Sequence, residues 1–589
     1  MKKRGWQQAD FVLVTGDAYV DHPSFGTAII SRVLERFGYK VAILAQPDWR
    51  STKDFTRFGK PRLGFLINSG NVDSMVGHFS VFKHRRKTDQ YSPGGKAGRR
   101  PDRAVIVYSN RAREAYKDVP VIIGGLEASL RRLGHYDYWD DKVRRSILLD
   151  AKGDILIYGM GERAVIQIAE ALDSGIAAKD IGWIRGTCVK GHLTDADEET
   201  MILPSFEEIK SSKRRYGDSF ALQYRNNDAV SGKRLMEPYG KDACVIQNPP
   251  QPPLEQEELD QVYGLPYEGQ YHPVYEKQGG VPALKEVKFS LVSSRGCFGG
   301  CGFCALTFHQ GREVRSRSEA SLVEEAKALT KQPDFKGYIH DVGGPTANFR
   351  RPACQKQLKA GVCKNKDCLY PKPCTQMEID HQEYRGLLRQ LRELPGVKKV
   401  FIRSGIRYDY VMADPDDGFL RDLCRHHVSG TLKVAPEHVS RKVLAQMRKP
   451  DPAVFEAFSE TYKKINDRLG LKQYLIPYLI SSHPGSTMDE AIELALFLKE
   501  HHFIPDQVQD FYPTPGTLST CVYYTEEDPF TKEPVYVAKS MEEKKAQRAL
   551  IHFHKQENRQ TVKKALEKAG RQDLIPVLLG HGSRKGRKR

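Results

Sequence analysis

Three cysteines spaced Cys-x-x-x-Cys-x-x-Cys, at Cys297, Cys301 and Cys304 in the run SSRGCFGGCGFCALTFHQG, are the residues of this chain best suited to chemistry. Thiolates are the ligands of iron–sulfur clusters, and such clusters ordinarily take four of them. A loop that offers three leaves one iron open to something other than protein. The competing reading is half of a zinc knuckle, whose paired cysteines stand a few residues apart. A second group, Cys354, Cys363, Cys368 and Cys374, crowds the run CQKQLKAGVCKNKDCLYPKPC. Four thiolates suit either an auxiliary iron–sulfur cluster or a structural zinc, and these intervals match no single zinc signature. Seven of the 11 cysteines fall between Cys297 and Cys374, which argues for metal in a reducing compartment and against a framework of disulfides.

Such loops need strands and helices to place them. Residues 287–292 read as a strand feeding straight into the first cysteine group, and Ser321-Leu322-Val323-Glu324 fits a capping box that opens a helix. Strands recur at 337–340, 399–402, 432–434, 475–479 and 508–511, with helical stretches between them. Six strands joined by crossovers predict a partial (β/α)6 barrel over residues 283–552, with its chemistry at the carboxyl rim and a cysteine-rich insertion at 350–376.

In front of it, Phe11-Val12-Leu13-Val14 and Val41-Ala42-Ile43-Leu44 read as buried strands around a helix at 27–37, and further strands are expected at 63–67, 121–123 and 154–158. These end at Gly16, Ser69, Gly124-Gly125 and Gly159, small residues where a ligand can approach the backbone. The pattern predicts a doubly wound α/β domain over residues 1–185. Residues 186–282 lose regular periodicity and carry Pro249, Pro250, Pro252 and Pro253, then a tyrosine-rich run from Tyr263 to Tyr275. They are expected to form a connector that straps across other elements. Helical periodicity at 541–568 predicts a terminal helix pair, and 553–589 is assigned to the last helix and a basic disordered tail.

Charge and hydropathy narrow the function class. The net charge is +18, and the stretch from Lys83 to Arg103 holds eight Lys or Arg against two Asp. That tract reads as a solvated, mobile loop, with contact to phosphate backbones or acidic partners as the alternative. The apolar stretch in MKKRGWQQADFVLV breaks at Thr15-Gly16-Asp17, too early for a secretory signal, and no run is long enough to span a membrane. A cytoplasmic protein is expected.

The triplet, with Phe303 just before its last cysteine, resembles the motif of the radical S-adenosylmethionine (SAM) superfamily. That resemblance implies a 4Fe-4S cluster on Cys297, Cys301 and Cys304, whose open iron chelates SAM and whose electron cleaves it to a 5'-deoxyadenosyl radical. The run DVGGPTANF resembles the superfamily's Gly-Gly-Glu segment, which implies that Gly343, Gly344 and Pro345 meet the SAM amine through their carbonyls, Pro345 standing where the Glu would be. In Arg403-Ser404-Gly405-Ile406-Arg407 the arginines would fork the SAM carboxylate and Ser404 would bind ribose. Glu437, in LKVAPEH, would take ribose or substrate hydroxyls, and Ser482-His483-Pro484-Gly485 would pack near adenine.

Together with RSRSEAS, YLISSHPGST and QDFYPTPGT, these runs resemble the YgiQ family of radical SAM proteins, from the first domain to about residue 555. The loops VIIGGLEAS and YGMGE resemble those of cobalamin-binding domains that precede many radical SAM barrels. The cobalt-ligating pattern Asp-x-His-x-x-Gly is not met, because Asp21-His22-Pro23-Ser24-Phe25-Gly26 has one residue too many. A cobalamin-binding-like fold is therefore expected without His22 as a ligand and without bound cobalamin.

The implied activity is that of a radical SAM enzyme on an unidentified substrate, supplied with electrons by a flavodoxin- or ferredoxin-type donor. Two rivals are a cobalamin-dependent radical methyltransferase and a metal-stabilised nucleic-acid-binding scaffold without catalysis. No RNA-binding signature supports nucleic acid as a partner.

Overall fold

Phe11–Thr15 (β1) is buried at every position because apolar layers cover both of its faces. Phe11 and Leu13 enter one layer, and Val12 and Val14 enter the other. The computed structural model describes residues 1–505 and 508–580, so the basic disordered tail expected from Ser583 to Arg589 lies outside the described residues. Parallel to β1 run Val41–Ala45 (β2), Gly64–Asn68 (β3), Val121–Ile123 (β4) and Ile155–Ile157 (β5), in the spatial order β2-β1-β3-β4-β5. This is a doubly wound order whose switch point falls between β1 and β3. Gly26–Arg36 (α1) and Glu162–Asp173 (α3) cover one face through Leu34, Val165 and Ile168, while Ala104–Ala115 (α2) covers the other through Val105 and Tyr108.

The sheet does not stop at residue 185. Thr187–His192 (β6), Met201–Ile202 (β7), Leu235–Tyr239 (β8) and Ala243–Gln247 (β9) extend it to nine strands, with β6 antiparallel to β5. The connector expected at 186–282 is therefore corrected: its first two-thirds, as far as Gln247, belongs to the sheet. Val189 and Ile246 face one another in the β6–β9 pairing, but both runs are short and β6 is interrupted by Lys190 and Gly191, which hides the alternation. The remaining part does act as a strap. Leu254, Leu259, Val262 and Tyr263 pack on Ile29 and Val33 of α1, and Gln270–Tyr271 pairs with Val20–Asp21.

The tract from Lys83 to Arg103 is exposed over residues 83–88 and 96–99, as expected of a solvated loop, but it is tied down from within at Arg100. Arg100 is fully buried, donating to the Ser69 carbonyl at 2.7 Å and to Asp89 at 2.9 Å, with Asp17 3.1 Å away. A buried guanidinium needs such partners, and they order the loop.

The second half is an open arc of parallel strands: Ser290–Val292 (β10), a broken strand of Tyr338–Ile339 and Asp341–Gly343 (β11), Lys399–Val400 (β12), Thr431–Glu437 (β13), Tyr474–Ser481 (β14) and Val508–Asp510 (β15). A bridge between Ile406 and Val434 joins the third to the fourth, so the six form the expected partial barrel. Leu291, Ile339, Val342, Val400 and Val434 of the strands pack in one core with Leu322, Leu387 and Phe458 of the surrounding helices. The helix after the cysteine loop, Glu319–Thr330, is capped by Ser318, whose side chain accepts from Ser321 N at 3.1 Å. The cap thus sits three residues before the expected capping box, where an equally suitable serine opens the turn. Met541–Ile551 and Arg559–Lys568 form the expected pair, but they pack on Leu479, Ala495 and Val508. A boundary at 552 cuts a layer of the barrel. Among the described residues, no helix is long and apolar enough to cross a membrane.

Candidate functional site

The cysteine loop hangs from β10 and is pinned at both edges. Ser294–Arg295 pairs antiparallel with Arg315–Ser316 at its base. Cys297 N donates to the Gly311 carbonyl at 3.1 Å. Gly302 N donates to the Met447 carbonyl, and Gly302 accepts from Ser519 N, each at 2.9 Å. The turn needs glycine at 296, where φ is +81° and a Cβ would overlap the Glu313 carbonyl. Cys297, Cys301 and Cys304 are free, half-buried thiols. Burial, and then the neighbouring sulfurs, push up the Cys297 thiol and push Cys304 up to about 12.

Arg407 is the buried cation beside them. Its Nη1 lies 3.4 Å from Cys301 Sγ and 3.3 Å from the Gly299 carbonyl, while Nε and Nη2 grip Asp409 at 2.8 and 2.5 Å. Burial opposes its charge, but Asp409 and the Cys301 sulfur hold it protonated. Thr346 Oγ1 stands 3.6 Å from Cys297 Sγ.

The strand ends converge on the same rim, since all six strands are parallel. Gly343 and Gly344 close β11, and a Cβ at Gly344 would stand 2.5 Å from Ser294 Oγ, so only glycine fits. Pro345 follows them, half-buried. Arg403 is corrected: it is exposed and lies over the Phe401 ring at 5.8 Å, away from the loop, because its backbone N–H is anchored by Asp341. Ser404, expected to bind ribose, gives its hydroxyl proton to the same Asp341, so it offers a ligand an acceptor. Glu437 is buried at φ +69°, and burial raises its carboxyl while Lys449 and Arg407 draw it down. Ser482 also has positive φ, +58°, at the end of β14. Non-glycine residues held this way carry local strain, which often marks functional positions. His483 packs edge-on to Phe303 at 6.1 Å and bonds Ser519 Oγ at 2.7 Å, so both are braces of the cysteine loop.

The insertion of the second cysteine group lies against this loop. Phe298 stacks on Phe349 at 3.8 Å beside Leu369, and Asp367 pairs with Arg448 at 3.0 Å. Burial, and then Cys354 and Cys363, push up the Cys368 thiol, whereas the Gln376 backbone and Lys366 hold Cys374 down. Among the described residues, no three His, Cys, Asp or Glu side chains stand close enough to share one metal ion. As folded here, neither cysteine group is a single-ion zinc cage.

A cavity of about 150 Å³ opens at the carboxyl ends of β1, β3, β4 and β5, lined by Ile30, Ile67, Ile123 and Val165 with Asn68 and Glu162. It adjoins one of about 80 Å³ that reaches Arg295 and Gly296, next to Cys297. The two share Gly159, Met160 and His309. His309, four residues from the loop's last half-turn, bonds Ser129 Oγ at 3.0 Å, and burial lowers its pKa to about 4, so the ring is neutral. Arg295 pairs with Glu162 at 2.6 Å across the domains. His22 does not line the cavity; its Nδ1 accepts from Ser24 N at 3.1 Å. Arg407 was expected to fork the SAM carboxylate, but its fork is taken by Asp409; Asp341, Lys449 and His309 are the residues least visible beforehand. Asp341 sits one turn of strand from the double glycine, a signal that was available, whereas nothing in the spacing marks Lys449 or His309.

A family model described as Radical SAM N-terminal matches residues 1–290, and one for a domain of unknown function, DUF3362, matches residues 506–584. A UPF0313 protein of Clostridium perfringens (strain SM101 / Type A) is 59% identical over 576 residues, covering 98% of this chain and 87% of that protein. A UPF0313 protein of Clostridium botulinum (strain ATCC 19397 / Type A) is 56% identical over 575 residues, covering 98% and 89%. Among solved structures, the radical SAM methyltransferase TsrM from Kitasatospora setae, with cobalamin and a 4Fe-4S cluster bound, aligns at TM-score 0.47 and 13% identity over 88% of this chain and 79% of that one. The cobalamin-dependent SAM radical enzyme OxsB aligns at 0.47 and 11% over 96% and 62%.

Proposed function

The chain belongs to the UPF0313 family of radical SAM proteins, and from that premise we propose that it is an enzyme that cleaves SAM reductively at a 4Fe-4S cluster held by Cys297, Cys301 and Cys304. One observation carries the reading: three free thiols share a pinned loop directly after the first strand of a six-strand parallel arc, with a buried guanidinium against them. The donor set fits the group. Three soft thiolates and a cation suit a body that carries negative charge and binds one thiolate per iron, whereas one small ion would need the sulfurs closer together. When bound there, such a cluster would supply the electron that splits SAM into methionine and a 5'-deoxyadenosyl radical, which would take hydrogen from a substrate.

The residues of the chain then have distinct tasks. Arg407 offsets the charge of the thiolates and fixes the loop through Gly299. Gly343 and Gly344 offer carbonyls for the SAM amine, with no side chain in the way. Glu437, buried near Cys304, accepts or donates to a ribose hydroxyl according to its protonation. The cavity at the first domain's switch point presents substrate from the side of His309 and Gly296.

The test is anaerobic reconstitution with iron and sulfide, dithionite reduction, and assay for 5'-deoxyadenosine. Wild type is expected to form it and Cys297→Ala to form none; equal yields would end the proposal. A corrinoid spectrum retained through purification with added cobalamin would replace this reading by a cobalamin-dependent methyltransferase.

A further inference from the structure

Apart from the cysteine loop, a cavity of about 500 Å³ lies between the first domain's hairpin of His135–Asp137 and Lys142–Arg144 and the helices Leu518–Thr525 and Met541–Ile551. Tyr136, Tyr138, Tyr523 and Tyr524 line it together with Lys83, Lys213, Lys539 and Lys544, and the carboxylates on its wall are Asp141 and Glu526. Glu526 is already engaged by Lys213 at 2.9 Å and Lys539 at 3.7 Å, and Asp141 accepts from the Tyr136 hydroxyl at 2.6 Å.

Lys83 and Lys544 are left over. Among the described residues neither forms an ion pair: Lys83 donates to the Trp139 carbonyl at 3.1 Å, and Lys544 donates to the Tyr523 hydroxyl at 2.9 Å and faces the Tyr138 hydroxyl at 3.4 Å. Both ammonium groups lie on the Tyr138 ring, at 5.1 and 5.3 Å. Lys544 is only 2% exposed. Buried charges are normally paired, so an ammonium this deep beside open space, crowded by other cations, calls for an anion from outside. Burial, and then Lys539 and Lys83, lower its pKa to about 8 against the pull of Asp510 and Asp141. Four ammonium groups against two carboxylates leave two positive charges. A phosphate monoester, with about −1.5 to −2 at pH 7, matches that surplus better than a single carboxylate. Lysine binds phosphate as a point charge, and tyrosine faces accept a planar ring.

We propose that this cavity is a second ligand site, separate from the SAM site, that takes a nucleotide: the phosphate ester on Lys83 and Lys544, and the base against the tyrosine walls. Ring contacts from Tyr523 through Phe511 at 5.9 Å and His483 at 5.0 Å to Phe303 at 6.1 Å connect it to the cysteine loop.

The experiment is calorimetric titration of the full chain with adenosine 5'-monophosphate, adenosine and a short single-stranded oligoribonucleotide. Adenosine 5'-monophosphate should bind saturably and at least tenfold more tightly than adenosine. The affinity should fall about tenfold or more in Lys544→Met and in Lys83→Met, and should weaken as pH rises through about 8 and Lys544 loses its proton. Should Lys544→Met melt early, exposed Lys83→Met decides. If the oligonucleotide competes and loses affinity in the same variants, the nucleotide belongs to RNA; if it does not compete, the ligand is a free nucleotide. Adenosine binding as tightly as its monophosphate, unchanged affinity in Lys83→Met, or no saturable binding of either phosphate-bearing probe overturns the proposal.

Discussion

Arg407 and Arg403 lie four residues apart after the third strand, yet the fold sends one inward and the other out. The difference is backbone anchoring: Asp341 holds the N–H groups of Arg403 and Ser404 at 2.8 and 3.0 Å, while Asn348 accepts from Arg407 N at 2.9 Å and turns it under the cysteine loop. Arg407→Met should therefore leave Asp409 buried without its partner, a loss on the order of 3–5 kcal/mol. It should also lower the iron retained after reconstitution. Arg407→Lys keeps the charge but not the planar fork on Asp409, so intermediate iron content is expected. Thermal melting and iron quantification on both variants check this; wild-type iron content in Arg407→Met would remove the cation from the site.

At the scale of elements, the cysteine loop and the cysteine-rich insertion behave as one body. Phe298, Phe349, Leu369 and Tyr410 form a small core shared between them, and Asp367 comes within reach of the loop's Gly300. An insertion that only decorated the surface would not be packed this way. If Cys363 and Cys368 help hold an auxiliary cluster, the double variant Cys363→Ser, Cys368→Ser should lose about half the iron or more after reconstitution while Cys297→Ala loses the other share. Unchanged iron and zinc content in the double variant would leave the insertion a purely packed lid. The strand positions were readable because each is a short apolar run ended by a small residue. The antiparallel extension at 187–247 was not, since its pairing partners lie far apart in the chain and its alternation is broken by Gly191 and Pro238.

Across the whole molecule, the two halves share a wall. Arg295, two residues before Cys297, pairs with Glu162 at the start of α3, and the Arg295 guanidinium also meets the Tyr263 hydroxyl of the strap at 3.1 Å. First domain, strap and cysteine loop thus meet at one buried ion pair, and the switch-point cavity opens beside it. Arg295→Met strands Glu162 in that interior and should cost about 3–5 kcal/mol. The expected signature is a calorimetric unfolding transition that splits into two as the domains uncouple. A single transition at the wild-type temperature would mean that the pair contributes nothing to their union.

The residue types and local spacing determined the three-cysteine loop, the strand order along the chain and the glycines that leave room for a ligand, because cysteine chemistry, alternating burial and tight turns are properties of neighbouring residues. Only the tertiary structure decided which arginine faces the sulfurs, that His309 and Glu162 border one cavity, and that four lysines from distant segments enclose another. Those juxtapositions depend on how separate elements pack, and a chain read one residue at a time carries no distance between Lys83 and Lys544.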